Sequence, residues 1–276
     1  MQQPEKQTKA STEPTMRKKF QHKNVTLLQG NALEANFFKD AFIDLIVTSP
    51  PYNVGIEYNA NNDELDYEQY LAFSEIWMRN CFAWSKTQAR FCLNIPLDKN
   101  KGGHHAVGAD LTRIAQQVGW KYKTTIIWNE GNISRRTAWG SWKSASAPVV
   151  IAPVELIVVF YKDEWKKTNG SKISDISGDE FKDWTMGVWT FNGESKTRIG
   201  HPAPFPKELP YRCIRLFSYQ HDTVFDPFAG SATTLLVAQN IDRVAIGLEL
   251  DETYFELAKN RIIKETGSID FEKNGE

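Results

Sequence analysis

Phe42-Ile43-Asp44-Leu45-Ile46-Val47-Thr48-Ser49-Pro50-Pro51-Tyr52-Asn53 is the stretch on which the reading of this chain turns. Phe42 to Val47 is apolar apart from Asp44, the pattern of a strand buried in a sheet. The residues after it are stiff. Neither Pro50 nor Pro51 has a backbone N–H, each fixes its own φ, and each pushes the residue before it toward an extended shape. The strand therefore ends on a shelf where the Pro50 carbonyl is held outward beside the Ser49 hydroxyl and the flat face of Tyr52. Such a shelf can accept both hydrogens of a planar amino group while a ring stacks on it. Taken alone, Pro-Pro-Tyr reads as a proline turn with a packed tyrosine.

A second stretch, far down the chain, shifts the balance. Thr223-Val224-Phe225-Asp226-Pro227-Phe228-Ala229-Gly230-Ser231-Ala232-Thr233-Thr234 reads as a short strand, a tight small-residue turn and a helix start. Gly230 allows a sharp turn and close approach to a ligand. Ser231 is the expected helix cap, and Asp226 is placed to pair with a ligand ammonium. The next apolar strand, Val244-Ala245-Ile246-Gly247-Leu248, ends in Glu249. An acidic residue at that tip is where nucleoside-binding α/β folds hold ribose hydroxyls.

Between these stretches, strands alternate with helices. Strands are expected at Val25 to Gln29, Asp44 to Thr48, Arg90 to Ile95, Thr124 to Trp128 and Glu155 to Tyr161. Helices are expected at Tyr67 to Trp84, His104 to Val118, Leu209 to Phe217 and Glu252 to about Lys264. The fold class is therefore α/β, a mostly parallel twisted sheet with helices on both faces. Ligands in such sheets bind beyond the carboxyl ends of the strands, where both stretches lie. Residues 1–23 read as a flexible arm and residues 266–276 as a tail around one domain, 24–265.

Composition sets bounds. The 276 residues carry a net charge of −1, which does not advertise nucleic-acid binding over the whole surface but leaves room for a local basic face. Cys81, Cys92 and Cys213 are odd in number and form no C-x-x-C pair, so neither a disulfide framework nor a zinc site is indicated and a reducing cytoplasm fits. No cysteine follows a proline. No signal peptide or membrane span is visible.

With both motifs in this order, the chain resembles the S-adenosylmethionine-dependent amino-methyltransferases of DNA. The likeness is to the β class, in which the catalytic tetrapeptide precedes the cofactor loop. It covers roughly residues 24 to 265. Ser49-Pro50-Pro51-Tyr52 and His201-Pro202-Ala203-Pro204-Phe205-Pro206 are similar to the cytosine-N4 branch. The resemblance implies a Rossmann-like methyltransferase fold with circularly permuted motif order and a small target-recognition insertion. It also implies S-adenosyl-L-methionine as cofactor and double-stranded DNA as partner. A cognate restriction endonuclease acting on the same site is a further implied partner; monomer and homodimer both stay open.

By the same resemblance, Ser49, Pro50, Pro51 and Tyr52 are catalytic. Asp226, Phe228, Gly230 and Ser231 hold the methionine end of the cofactor, and Ala229 and Thr233 also belong to the cofactor site. Glu249 holds the ribose and Asn31 the adenine edge, while His201 and Phe205 close the pocket. Two positions depart from the family pattern. Ala232 stands where Gly is usual, at a position expected to be helical, and Asn31 stands where Asp is usual.

The implied chemistry needs positioning more than acid–base power. An exocyclic amine is a weak nucleophile because its lone pair is delocalised into the ring. Ser49 and the Pro50 carbonyl would hold its hydrogens and free that pair. The target base must be flipped out of the duplex to arrive there. Tyr52 would stack on it, an interaction worth about 1–3 kcal/mol. The proton can leave after transfer, and no His or Glu stands out as a base. Reading of DNA is expected from residues 129–148, with Arg135, Arg136, Trp139 and Lys143, and from residues 162–199. Three other readings compete. Adenine-N6 transfer is the nearest. Protein-glutamine methylation is disfavoured by motif order. A non-catalytic DNA-binding relative draws support from Asn31 and Ala232 alone.

Overall fold

The computed structural model describes residues 18–52, 65–97, 105–130, 140–150, 154–168, 170–194 and 206–266. The strands are β1 Lys18–His22, β2 Val25–Gln29, β3 Ile43–Thr48, β4 Ser85–Pro96, β5 Lys121–Glu130, β6 Val154–Tyr161, β7 Val188–Phe191, β8 Thr223–Asp226 and β9 Val244–Glu249. The helices are α1 Tyr67–Trp84, α2 Val107–Val118, α3 Gly178–Trp184, α4 Glu208–Phe217, α5 Thr233–Asn240 and α6 Glu252–Glu265.

All these strands join one sheet in the order β1-β2-β9-β8-β3-β4-β6-β5-β7. The strands β2, β9, β8, β3, β4, β5 and β7 run one way. Edge strand β1 and inner strand β6 run the other. Both faces of the sheet are covered, so its central strands are apolar on both sides, as expected of buried parallel sheets. Leu45, Val47, Ile157 and Val159 pack toward α4, α5 and α6, where Cys213, Leu235 and Ile262 meet them. Ile46, Phe91, Leu93, Val158 and Phe160 face α1 and α2, where Trp77, Met78, Leu111 and Ala115 close the second core.

Local chemistry sets the helix ends. The Asp66 side chain accepts from Gln69 N at 2.9 Å and starts α1. Asp251 does the same for α6, accepting from Thr253 N and Tyr254 N. Gly119, at φ +124°, ends α2.

Several elements depart from the sequence reading. The end of the expected arm, Lys18–His22, is a strand paired with β2, and the Lys18 ammonium lies 2.6 Å from Glu252 of α6. Helix α2 begins at Val107 rather than His104, and the His105 ring instead stacks on Tyr67 at 3.7 Å. Segment 162–199 holds helix α3, with a Ser177/Glu180 capping box, and strand β7.

The first half of that segment lies at the amino edge of the sheet. Lys167 and Lys172 reach buried Asp222, just before β8, at 2.6 and 2.5 Å. Asp175 takes both arms of buried Arg243, just before β9, at 2.6 and 2.8 Å. Lys162 donates to the Phe82 and Ser85 carbonyls, each at 2.8 Å. Residues 162–175 are thereby tied to the edge opposite the strand tips named above. Part of the segment expected to read DNA is thus engaged in contacts within the fold.

Candidate active site

Strand ends bring a row of polar side chains to the carboxyl edge of the sheet. In sheet order they are Asn31 after β2, Glu249 of β9, Asp226 of β8, Ser49 after β3, Asn94 of β4, Glu155 of β6 and Glu130 of β5. Glu155 belongs to the row because β6 is reversed: its first residues arrive where its neighbours end. From β3 the chain moves through α1 to β4, and from β8 through α5 to β9 on the opposite side. Such a change of direction opens a crevice between the two strands. Thr48 and Asp226 flank it, with Thr48 Oγ1 donating to Asp226 Oδ1 at 2.7 Å.

On the β8–β9 side, the loop from Pro227 to Ala232 folds over the end of β9. Ala229 N donates to the Leu248 carbonyl at 2.8 Å, and Gly230 N, at φ +50°, donates to Glu249 Oε2 at 2.8 Å. Asp251 N donates to the other Glu249 oxygen at 2.9 Å. Burial still pushes the Glu249 carboxyl up to about 7 against these bonds. Asp226, also accepting from Phe228 N at 3.1 Å, is pushed up to about 6 by the same cause. The Phe228 ring meets Trp77 of α1 edge-on at 5.2 Å.

Two expectations about this loop are corrected. Ala232, not Ser231, is the N-cap of α5, and no side chain caps the helix. Ala232 stands at φ +64°, in the left-handed region, not in a helical conformation. Ser231 and Thr233 are buried. Arg261 Nη1 donates to the Ser231 carbonyl at 2.6 Å and to Thr233 Oγ1 at 3.2 Å. Both residues thus brace the back of the loop.

Asn31 sits beside Glu249 because the β2–β9 ladder runs one bond further, from Gly30 N to the Glu249 carbonyl at 3.0 Å. A side chain at Gly30 would start 2.2 Å from the Phe37 ring, which explains glycine there. The Asn31 Oδ1 expected to take an adenine amino group accepts from Leu33 N at 3.0 Å. A second lone pair and the Nδ2 hydrogens remain for a ligand.

On the β3 side, Ser49 Oγ lies 2.6 Å from the Tyr52 hydroxyl. That hydroxyl donates to Glu155 Oε2 at 3.1 Å, and Asn94 Nδ2 donates to Tyr52 at 3.3 Å and to Glu155 Oε2 at 2.5 Å. The Tyr52 ring packs partly buried against the α1–α2 core, so its plane is fixed from two directions. Burial raises the Glu155 carboxyl, the Asn94 and Tyr52 hydrogen bonds oppose the shift, and the nearby Glu130 charge adds to it. Sequence reading missed Glu155. An acid opening an otherwise apolar strand was the available signal, and it points to a site only once that strand is known to be reversed.

Lys143 lies in an exposed segment, 140–150, on the connection from the end of β5 to the start of β6. Its ammonium stands 5.5 Å from the ring of exposed Trp142, and a Gly140–Pro148 bridge closes the segment. Arg135, Arg136, Trp139, His201 and Phe205 lie outside the described residues. Among the described residues, no helix is long and apolar enough to cross a membrane, and no group of three His, Cys, Asp or Glu side chains is placed to hold a metal.

A crevice at a change of strand direction, acidic tips on one bank and a proline-stiffened shelf on the other, defines a doubly wound α/β protein built around a nucleoside-like ligand. Residues 43–260 match the family model described as DNA methylase, of the N6/N4 type, and the chain belongs to that family. It is similar to the type II methyltransferase M.MjaVI of Methanocaldococcus jannaschii, with 57% identity over 175 residues, which are 63% of this chain and 89% of that one. The TTHA0409 protein of Thermus thermophilus, solved in complex with S-adenosyl-L-methionine, shares 27% identity. It superposes with a TM-score of 0.69 over 87% of this chain and 94% of its own. The cytosine-N4-specific PvuII DNA methyltransferase, at 20% identity, shares the fold with a TM-score of 0.66 over 90% of this chain and 88% of its own.

Proposed function

We propose that this protein is a β-class methyltransferase of the cytosine-N4 branch, taking its methyl group from S-adenosyl-L-methionine to a cytosine flipped out of duplex DNA. The observation that carries this reading is the shelf Ser49-Pro50-Pro51-Tyr52 standing across one crevice from Asp226, with Thr48 bonded to Asp226 at 2.7 Å. The residues of the β8–β9 side fit the cofactor. Glu249 receives N–H donors from Gly230 and Asp251 and keeps lone pairs free for ribose hydroxyls. Asp226 is a buried acid at the strand tip, able to pair with an ammonium. Asn31 stands next to Glu249 for the adenine edge.

When bound, the cofactor supplies an electrophilic methyl group. The chain does the rest. Ser49 Oγ and the Pro50 carbonyl hold the two hydrogens of the amine and direct its lone pair toward the Asp226 side. Tyr52, its hydroxyl anchored, offers a ring of fixed plane for the base. Trp142 and Lys143, with Arg135, Arg136 and Trp139, would meet the DNA beyond the edge of the crevice. His201 and Phe205 would close the cofactor side. A nuclease cutting the same site is the expected partner, as in a type II restriction–modification pair.

Digestion of DNA methylated by the purified protein, followed by mass spectrometry of the nucleosides, tests the reading. N4-methylcytosine is expected. N6-methyladenine as the sole product would replace the cytosine assignment with the adenine one.

A further inference from the structure

Methyl transfer to an exocyclic amine leaves a nitrogen with one proton more than the product keeps. The shelf faces that nitrogen, and behind the shelf runs a line of hydrogen bonds: Ser49 Oγ to Tyr52 OH at 2.6 Å, then Tyr52 OH to Glu155 Oε2 at 3.1 Å. We propose that Glu155 is the terminus of a proton relay running from the target nitrogen through Ser49 and Tyr52. The proposal rests on the amine-transfer reading of the shelf, for either base.

The direction of the line follows from its end. An ionised carboxylate only accepts, and at 3.1 Å it is nearer to the Tyr52 hydroxyl than the other acceptor in reach, the Asn94 carbonyl at 3.4 Å, so Tyr52 O–H points to Glu155 and Ser49 O–H points to Tyr52. Ser49 is left with its lone pairs turned to the crevice, the orientation an incoming amine needs. Asn94 Nδ2, bonded to both Tyr52 OH and Glu155 Oε2, holds the turn of the line in place. In the transfer the N–CH3 bond forms as the donor's S–C bond breaks, and the nitrogen becomes cationic. Its proton passes to Ser49 Oγ, the Ser49 hydrogen to the Tyr52 oxygen, and the Tyr52 hydrogen to Glu155, which becomes a neutral acid. Glu155 keeps partial solvent exposure through which the proton then leaves.

The surroundings raise the proton affinity of this acceptor. On β4 the neighbours Asn94, Ile95 and Pro96 carry no charge. On β5, Trp128 lies opposite Glu155 and Glu130 adds a like charge. From the shelf, Tyr52 is the titratable group in contact. Burial and Glu130 both favour the protonated form, so Glu155 accepts a proton more readily than an exposed glutamate. Because Glu155 acts through Tyr52 and Ser49, it is a positioning residue for the reaction, not a contact of the base.

Glu155→Gln keeps an acceptor for Tyr52 but cannot take up a proton. In single-turnover transfer at saturating cofactor and DNA, the wild-type rate should rise with pH as Glu155 ionises and then level off. Glu155→Gln should be slower by about tenfold or more on the plateau and flat on the acid side, with cofactor and DNA affinities within about twofold. Tyr52→Phe should show the same loss, and the double variant no more than the larger single loss. Independently of turnover, wild type minus Glu155→Gln infrared spectra should show a protonated carboxyl at a pH where free glutamate is already ionised. Should Glu155→Gln fail to bind cofactor, Tyr52→Phe carries the kinetic test under the same criteria. A Glu155→Gln rate within twofold of wild type with the acid limb intact would overturn the relay, as would multiplying losses or the absence of the carboxyl band. A wild type that transfers no methyl group to DNA would instead overturn the underlying reading.

Discussion

Asp226 and Glu249 sit at neighbouring strand tips in surroundings that resist their charge, with carboxyls pushed up to about 6 and about 7. A cationic amino acid group and ribose hydroxyls favour the ionised forms. Cofactor affinity should therefore climb as pH rises through this window, with Kd at pH 5.5 weaker than at pH 8 by roughly tenfold. Titration calorimetry at several pH values checks this, and a flat profile would count against both roles. Stability of the ligand-free protein should run the other way. Each carboxyl binds its proton more tightly folded than unfolded. Its contribution is full below the ordinary values of 3.8 and 4.5 and is lost as pH rises through about 6 and about 7. Urea midpoints should fall across that range, and Glu249→Gln should flatten the upper part. Ala232 gives a third residue-scale test. Its methyl group sits at φ +64°, so Ala232→Gly should be neutral or stabilising by up to about 1 kcal/mol. Ala238→Gly, inside α5, should cost at least about 1 kcal/mol. A loss above about 1 kcal/mol at position 232 would refute the strain. The placement of Asp226, Glu249 and Ser49 at strand ends was readable because the apolar pattern of each strand stops there. The turn that occupies Asn31 Oδ1 and the brace that buries Ser231 were not, because both depend on φ values and on Arg261 from a distant helix.

At the scale of elements, period-two and helical patterns located the strands and helices that are long and apolar. Strand β7 escaped because only four residues carry its alternation, and α3 because a seven-residue helix has little periodicity to show. The reversal of β6 escaped for a different reason. A strand buried on both faces looks the same in either direction, so nothing in Glu155–Tyr161 tells which end meets the crevice. That reversal is what delivers Glu155 to Tyr52. The amino-edge anchor is also an element-scale device. Arg243 is fully buried, and Asp175 neutralises it through both nitrogens. Asp175→Ala leaves that guanidinium unpaired and should destabilise the fold by roughly 3–5 kcal/mol. Because the anchor lies at the opposite edge from Ser49, the transfer rate of the folded fraction should stay unchanged. Chemical denaturation and single-turnover rates on the same preparation separate the two effects, and a rate that falls with stability intact would contradict the placement.

The whole molecule carries a net charge of −1, so attraction to a polyanion must come from where the cations stand, not from their number. Segment 140–150, on the connection from β5 to β6, places Lys143 over Trp142 in the open. If it meets phosphate, Lys143→Ala should weaken binding of any duplex alike and lower the slope of log K against log salt by about 1. An unchanged slope would remove Lys143 from the interface. The larger organisation, two motifs far apart in sequence meeting across one crevice, was legible because strand ends in an α/β sheet share an edge. Its division of labour is the central claim: one bank holds the methyl donor, the other the base. Calorimetric titration of S-adenosyl-L-methionine into wild type, Tyr52→Ala and Asp226→Ala tests it most directly. Tyr52→Ala should bind within about threefold of wild type although it transfers no methyl group, and Asp226→Ala should bind at least about tenfold more weakly. Equal losses of affinity in the two variants, or a loss confined to Tyr52→Ala, would contradict the account.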